Sequence, residues 1–162
     1  MMVESSACRQ GRTAGIAVAV LSRARIATTP YEARRVTQKP SPDVRALAAQ
    51  ICSCIENGRF LELDELIAPE AHFWYNFDPT VHPWPEVRQI LVATRERLRS
   101  MHFEKVRVTP TDRGWLQQHV LRMVRMDGTQ TQMHAALVYG VNERGLVASL
   151  EEYFDPAAAG GN

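Results

Sequence analysis

The stretch WLQQHVLRMVRM, residues 115–126, alternates like a strand and sets His119 in step with Leu121 and Met123. Further along, SLEEYFD places Glu152 in step with Leu150 and Phe154. An imidazole and a carboxyl on apolar strand faces suit acid–base chemistry, because losing water raises a carboxyl's pKa toward the range of a useful proton donor or acceptor. The alternative is that Glu152 points outward and Glu151 or Tyr153 inward. His119 then reads as a base, as a partner that orients Glu152, or as a hydrogen-bonded core residue. AHFWYNF, residues 71–77, sets His72, Trp74 and Asn76 on one face and Phe73, Tyr75 and Phe77 on the other. Asn76, an amide among aromatics, would be satisfied by holding a water or a substrate oxygen, with Trp74 as pocket wall. His119, His134 and Glu152 also resemble a two-histidine, one-carboxylate metal set, but nothing else in the chain supports a metal and none is expected.

These residues depend on the elements that carry them. SPDVRALAAQICSCIENGRF predicts a helix capped by Ser41 or Asp43 and stopped at Gly58. A short second helix fits LELDELIAP, closed by Pro69; DPTVHPWP reads as a loop, and a third helix follows with Val87, Ile90, Leu91, Thr94 and Leu98 inward. After Ser100 the period changes to that of strands, in FEKVRVTP, WLQQHVLRMVRM, TQMHAALVYGVN and GLVASLEEYFD. Asp127-Gly128 predicts a two-residue hairpin, and NERG a three-residue loop with Gly145 left-handed. Those turns align His119, Ala136 and Glu152 in one row, so the imidazole and carboxyl converge over a methyl group. Leu121, His134 and Phe154 form the next row, and a one-residue slip in either hairpin would destroy the arrangement. Val120, Val124, Ala135, Leu137 and Tyr139 fall on the opposite face, too apolar for solvent, which predicts a homodimer through it or cover from other segments. Helices followed by a strand meander give an α+β fold, with helices on one side of a curved antiparallel sheet.

The bulk composition is that of a globular domain: 45% apolar and 23% charged in 162 residues. Residues 1–40 hold seven Arg or Lys against two Glu; the remainder holds twelve against sixteen acids. An acidic body argues against nucleic acid as a partner. TAGIAVAVL, residues 13–21, is too short to span a membrane, and residues 1–40 read as a disordered basic leader. Cys8, Cys52 and Cys54 cannot all pair and show no zinc spacing, so reduced thiols in the cytoplasm are expected.

WYN after the helical hairpin, QQHVL in a central strand and EEYFDP in the last resemble the nuclear transport factor 2 superfamily, in its SnoaL-like and limonene-1,2-epoxide-hydrolase-like branches. The resemblance covers residues 41 to 157 and leaves 158–162 as a tail. It implies a cone of curved sheet and three helices around one apolar pocket, often in a homodimer, with no cofactor. In the epoxide hydrolases a Tyr-x-Asn pair and an Asp hold the attacking water, and an Asp–Arg–Asp relay works beside them. Here Trp74 stands at the Tyr position, Asn76 at the Asn, His119 at the relay Arg, Leu121 at its first Asp and Glu152 at the last-strand Asp. The relay is therefore broken. The resemblance still implies acid–base chemistry, by an isomerase, cyclase, dehydratase or hydrolase, on a small hydrophobic polyketide, terpenoid or steroid-like compound. Glu152, His119 and Asn76 would be catalytic, and Trp74, Leu121, Met123, His134, Ala136, Leu150 and Phe154 would line the substrate site. A non-catalytic binding or dimerisation module of the same fold is the alternative.

Overall fold

The computed structural model describes residues 43–160, so the expectations for residues 1–40 and for Ser41 as a cap lie outside the described residues. Asp43 caps α1 (Val44–Glu56), its Oδ1 accepting from the N–H groups of Arg45 at 3.0 Å and Ala46 at 3.3 Å. Val44, Ala48, Ile51 and Cys52 form its buried stripe, and Gly58 follows with φ 66°. Helix α2 (Phe60–Asp64) ends sooner than its apolar pattern suggested, because β1 (Ile67–Tyr75) begins ahead of Pro69. That proline is tolerated where pairing with the neighbouring strand is interrupted, between Ile67 and His72.

The expected DPTVHPWP loop is instead β2 (Asp78–Pro83), running directly into α3 (Trp84–Glu96). Its prolines read as loop, yet β2 is the edge of the sheet, where missing N–H groups leave no ladder bond unmade. On α3, Val87 is buried, whereas Ile90 is 51% exposed and corrects the expected stripe. Trp84 Nε1 and Arg88 Nε donate to Asp64, at 3.0 and 2.8 Å, tying α3 to α2. Four strands complete the sheet: β3 (Leu98–Thr111), β4 (Gly114–Arg125), β5 (Gln130–Val141) and β6 (Val147–Phe154). A one-turn helix, α4 (Pro156–Gly160), takes up most of the expected tail.

The strands form one curved, open sheet in the order β2-β1-β6-β5-β4-β3. Only β1 and β6 pair in parallel; the other neighbours are antiparallel. Helices cover one face, and the core fills the space between: Ile51 and Ala48 of α1 and Val87 of α3 meet Phe73, Leu137, Tyr139 and Leu150 from the sheet. A second cluster of Leu98, Met101, Leu121, Met123 and Met133 continues it toward the β4–β5 hairpin. No helix among the described residues is long and apolar enough to cross a membrane.

Both hairpins depart from the expected register. In the first, Arg125 N–H donates to Thr129 at 2.8 Å and Gly128 takes φ 92°, so the loop has three residues rather than two. A two-residue type I′ turn needs positive φ at Asp127 as well; that residue keeps ordinary φ and uses its carboxylate to accept from Thr129 N–H at 2.8 Å. His119 therefore pairs with Ala135, not Ala136. The second turn is as expected, with Asn142 N–H donating to Leu146 at 2.9 Å and Gly145 at φ 82°, but a bulge between Gly140 and Val141 shifts the strands beyond it. Glu152 pairs with Leu137. The first slip turns β5 over, and the second turns β6 back. His119 and Glu152 thus share a face after all, while every β5 assignment is inverted.

Close strand approach leaves room for no side chain at Gly114, where a Cβ would lie 2.2 Å from Tyr139 O with φ at 156°. Gly114→Ala is expected to cost about 3 kcal/mol, read as a lowered urea midpoint with an unchanged slope.

Candidate active site between helices and sheet

Three rows of side chains cross the inner face of the sheet. Phe73, Leu150, Tyr139 and Trp115 make the first; Tyr75, Glu152, Leu137 and Gln117 the second; Phe154, Ala135 and His119 the third. Between them and the helices lies a cavity of about 120 Å³. Among the described residues its lining is aliphatic and aromatic apart from His119, Glu152, Tyr75 and Tyr139, and Glu152 is the only carboxylate among them.

Glu152 is held by its backbone. Its carbonyl accepts from Asn76 N–H at 3.0 Å, and Asn76 Oδ1 accepts from Phe154 N–H at 3.1 Å, so Asn76, the residue after β1, clamps the last strand on both sides of residue 153. Burial pushes the carboxyl up to about 7. Burial also moves His119, in the opposite sense, down to about 4, so its imidazole is neutral at physiological pH. The two act separately: no hydrogen bond joins them, and with one strand between them and one row apart their backbones are roughly 12 Å distant. His119 Nδ1 instead lies 3.2 Å from Gln117 Nε2, and its ring meets Phe103 edge-on at 4.8 Å. Burial raises Tyr75 and Tyr139 as well, with the Glu152 charge adding to both, so each phenol keeps its proton.

No protein-family model and no curated protein matches the chain. Solved structures do. A proposed polyketide cyclase from Streptomyces antibioticus aligns with TM-score 0.61 at 17% identity, over 72% of this chain and 94% of that one. A proposed SnoaL-like polyketide cyclase from Shewanella denitrificans gives 0.63 at 9% identity, over 73% and 94%. An NTF2-like protein of unknown function from Exiguobacterium gives 0.58 at 14%, over 67% and 98%. The chain has the NTF2-like fold.

Within this NTF2-like fold the expected site residues divide. Glu152, His119, Leu121 and Leu150 line the cavity. Met123 packs in the second core cluster, and Phe154 stands beside it, edge-on to Phe77 at 5.0 Å. His134 and Ala136 are on the outer face, turned over with β5, and so are no part of the pocket. The His119, His134 and Glu152 metal set cannot converge for the same reason. Trp74 also lies on the outer face, packed on Tyr153 at 5.5 Å, and Asn76 is exposed and occupied with backbone, so it does not hold a water in the cavity. Conversely, Ala135, Leu137 and Tyr139, expected outside, are buried in the core. The phenols of Tyr75 and Tyr139 join the site without a motif to mark them. For Tyr75 the available signal is the alternation that sets it on the face opposite Trp74.

Proposed function

We propose that the protein is a cofactor-independent acid–base enzyme acting on a small hydrophobic molecule, with Glu152 carrying the proton. The observation that supports this most is a carboxylate, single among the described lining residues of an apolar cavity, whose pKa burial raises to about 7. At pH 7 such a group is divided between base and acid forms, the condition for accepting a proton from carbon and returning it elsewhere. Neutral His119 and the phenols of Tyr75 and Tyr139 offer N–H and O–H groups to an oxygen on which charge develops. Isomerisation, dehydration or cyclisation beside a carbonyl all fit that set. The resemblance puts Leu121 and His119 where the epoxide hydrolases carry the first Asp and the Arg of their relay, which weighs against epoxide hydrolysis.

Volume restricts the substrate. About 120 Å³ is below the ~300–1,000 Å³ of common ligand pockets and near the ~150 Å³ cavity that holds benzene. The folded site therefore takes one ring or a short branched chain, as in a monocyclic terpenoid or one end of a polyketide. A fused polycycle enters only if α1 or α3 moves outward. The assay is hydrogen–deuterium exchange at the carbon beside the carbonyl, followed by NMR in D2O over a panel of single-ring ketones and enones. Catalysed exchange supports the reading; its absence across the panel, with ligands still binding, favours the non-catalytic binding module.

We further propose a cytoplasmic homodimer through the outer sheet face. Free thiols at Cys52 and Cys54 support the compartment. The face is supported by Val138 and Tyr153, 40% and 43% exposed, beside a groove floored by Val120 and Ala136. Val138→Glu is expected to halve the mass seen by sedimentation, without loss of fold by circular dichroism.

A further inference from the structure

We propose that Gln117 is a positioning residue that fixes His119 in its Nε2–H tautomer, so that the cavity is offered a neutral N–H donor, with Cys52 of α1 anchoring the amide. Gln117 is 1% exposed and faces inward on β4, two residues from His119. Its Nε2 lies 3.2 Å from His119 Nδ1 and 3.5 Å from Cys52 Sγ. A primary amide nitrogen has two hydrogens, and these two acceptors use both. An Nδ1 that accepts carries no proton, so the ring proton sits on Nε2. That atom is on the side of the ring away from Gln117, and His119 lines the cavity.

The opposite orientation of the amide can be weighed on the same contacts. With Oε1 toward the ring, Nδ1–H and the Cys52 thiol would both donate to it, and the two N–H groups of Gln117 would be left in the core. With Nε2 toward the ring, Oε1 alone lacks a partner. Orphaned buried N–H groups are rarer than carbonyl oxygens short of a partner, and two stranded donors cost more than one stranded acceptor. Trp115 adds a second, independent argument. Its Nε1–H is also buried without a partner, on the same face of β4 and two residues from Gln117. With Nε2 toward the ring this stretch of β4 keeps one orphan donor and one orphan acceptor; the other orientation leaves it three orphan donors. Burial keeps the Cys52 thiol protonated, pushed up to about 11, so it serves the amide as a neutral sulfur. The edge contact of Phe103 at 4.8 Å also restrains the ring.

A ligand that reaches His119 must therefore bring an acceptor, such as a carbonyl or ether oxygen. That this donor serves a reaction rests on the acid–base reading above; the tautomer does not. The test is a long-range ¹H–¹⁵N spectrum of the full chain labelled in histidine and glutamine, at pH 7, with His119 assigned by the signals missing from His119→Gln. The expected spectrum shows Nε2 protonated and Nδ1 bare, with coupling across the hydrogen bond from the Gln117 amide. In Gln117→Leu the coupling disappears and the Nδ1 resonance moves to that of an unbonded nitrogen. A proton on Nδ1 in the wild type, or an Nδ1 resonance unmoved in the variant, overturns the proposal. Where exchange activity is found, Gln117→Leu should lower its saturated rate about tenfold with little change in KM. If no activity is found the spectrum still decides the tautomer, so the two readings fail separately.

Discussion

Glu152→Gln is expected to lower the catalysed exchange rate roughly 100- to 10,000-fold while changing ligand affinity less than about threefold. Gln keeps the shape of the side chain but cannot take or release a proton at neutral pH. The rate of the wild-type protein should rise through about pH 7 when the carboxylate is the base, and this limb should vanish from the residual rate of the variant. A binding module gives a different pattern. It tolerates Glu152→Gln and loses ligand instead when the apolar wall is cut at Leu121, which lines the cavity beside His119. Equal turnover in the two proteins would remove Glu152 from the mechanism.

Stability against pH should separate half-buried Glu152 from buried His119 by sign. Glu152 has its folded pKa raised from 4.5 to about 7, so the folded state holds its proton more tightly. Its favourable contribution is complete below pH 4.5 and is lost as pH rises through 7. His119 has its folded pKa lowered from 6.5 to about 4, so its contribution is complete above pH 6.5 and is lost as pH falls through 4. Each shift corresponds to at most about 3 kcal/mol. Between pH 4.5 and 6.5 the two oppose each other, and the wild type should show a shallow profile there. Glu152→Gln unmasks His119: stability then climbs with pH across this range. His119→Gln unmasks Glu152, and stability falls from pH 4.5 to 7. Urea midpoints at half-unit pH steps read both slopes. Parallel profiles for the two variants would mean that neither group is buried as described.

Much of this could be read directly because the signals were local. The first helix follows from Asp43, the apolar spacing and Gly58, each acting within one or two turns of chain. The alternation in β4 put His119 inward with Leu121, and that in β6 put Glu152 inward with Leu150, independently of their neighbours. Strand pairing was another matter. Asp127 can sit in either of two tight loops, and the choice turns on backbone φ at a single residue. The bulge after Gly140 is equally silent; it sits beside a close approach to Ser149, whose Oγ would lie 2.3 Å from a Cβ at Gly140. The first of these one-residue decisions carried His134 and Ala136 out of the pocket and brought Leu137 and Tyr139 in, and the second kept Glu152 on the face of His119.

The chain's own alternation thus determined the α+β class, the inward faces of β4 and β6, and the presence of an imidazole and a carboxyl on them. Only the folded sheet decided that these two groups stand a strand and a row apart and titrate without each other. The same holds for Tyr75 and Tyr139 as their companions, and for Asn76 as a clamp on the backbone of β6. The physical reason is range. Period and capping act over neighbouring residues, whereas register is set by turn dihedrals and close contacts between residues far apart in sequence, and each single-residue shift reverses a face.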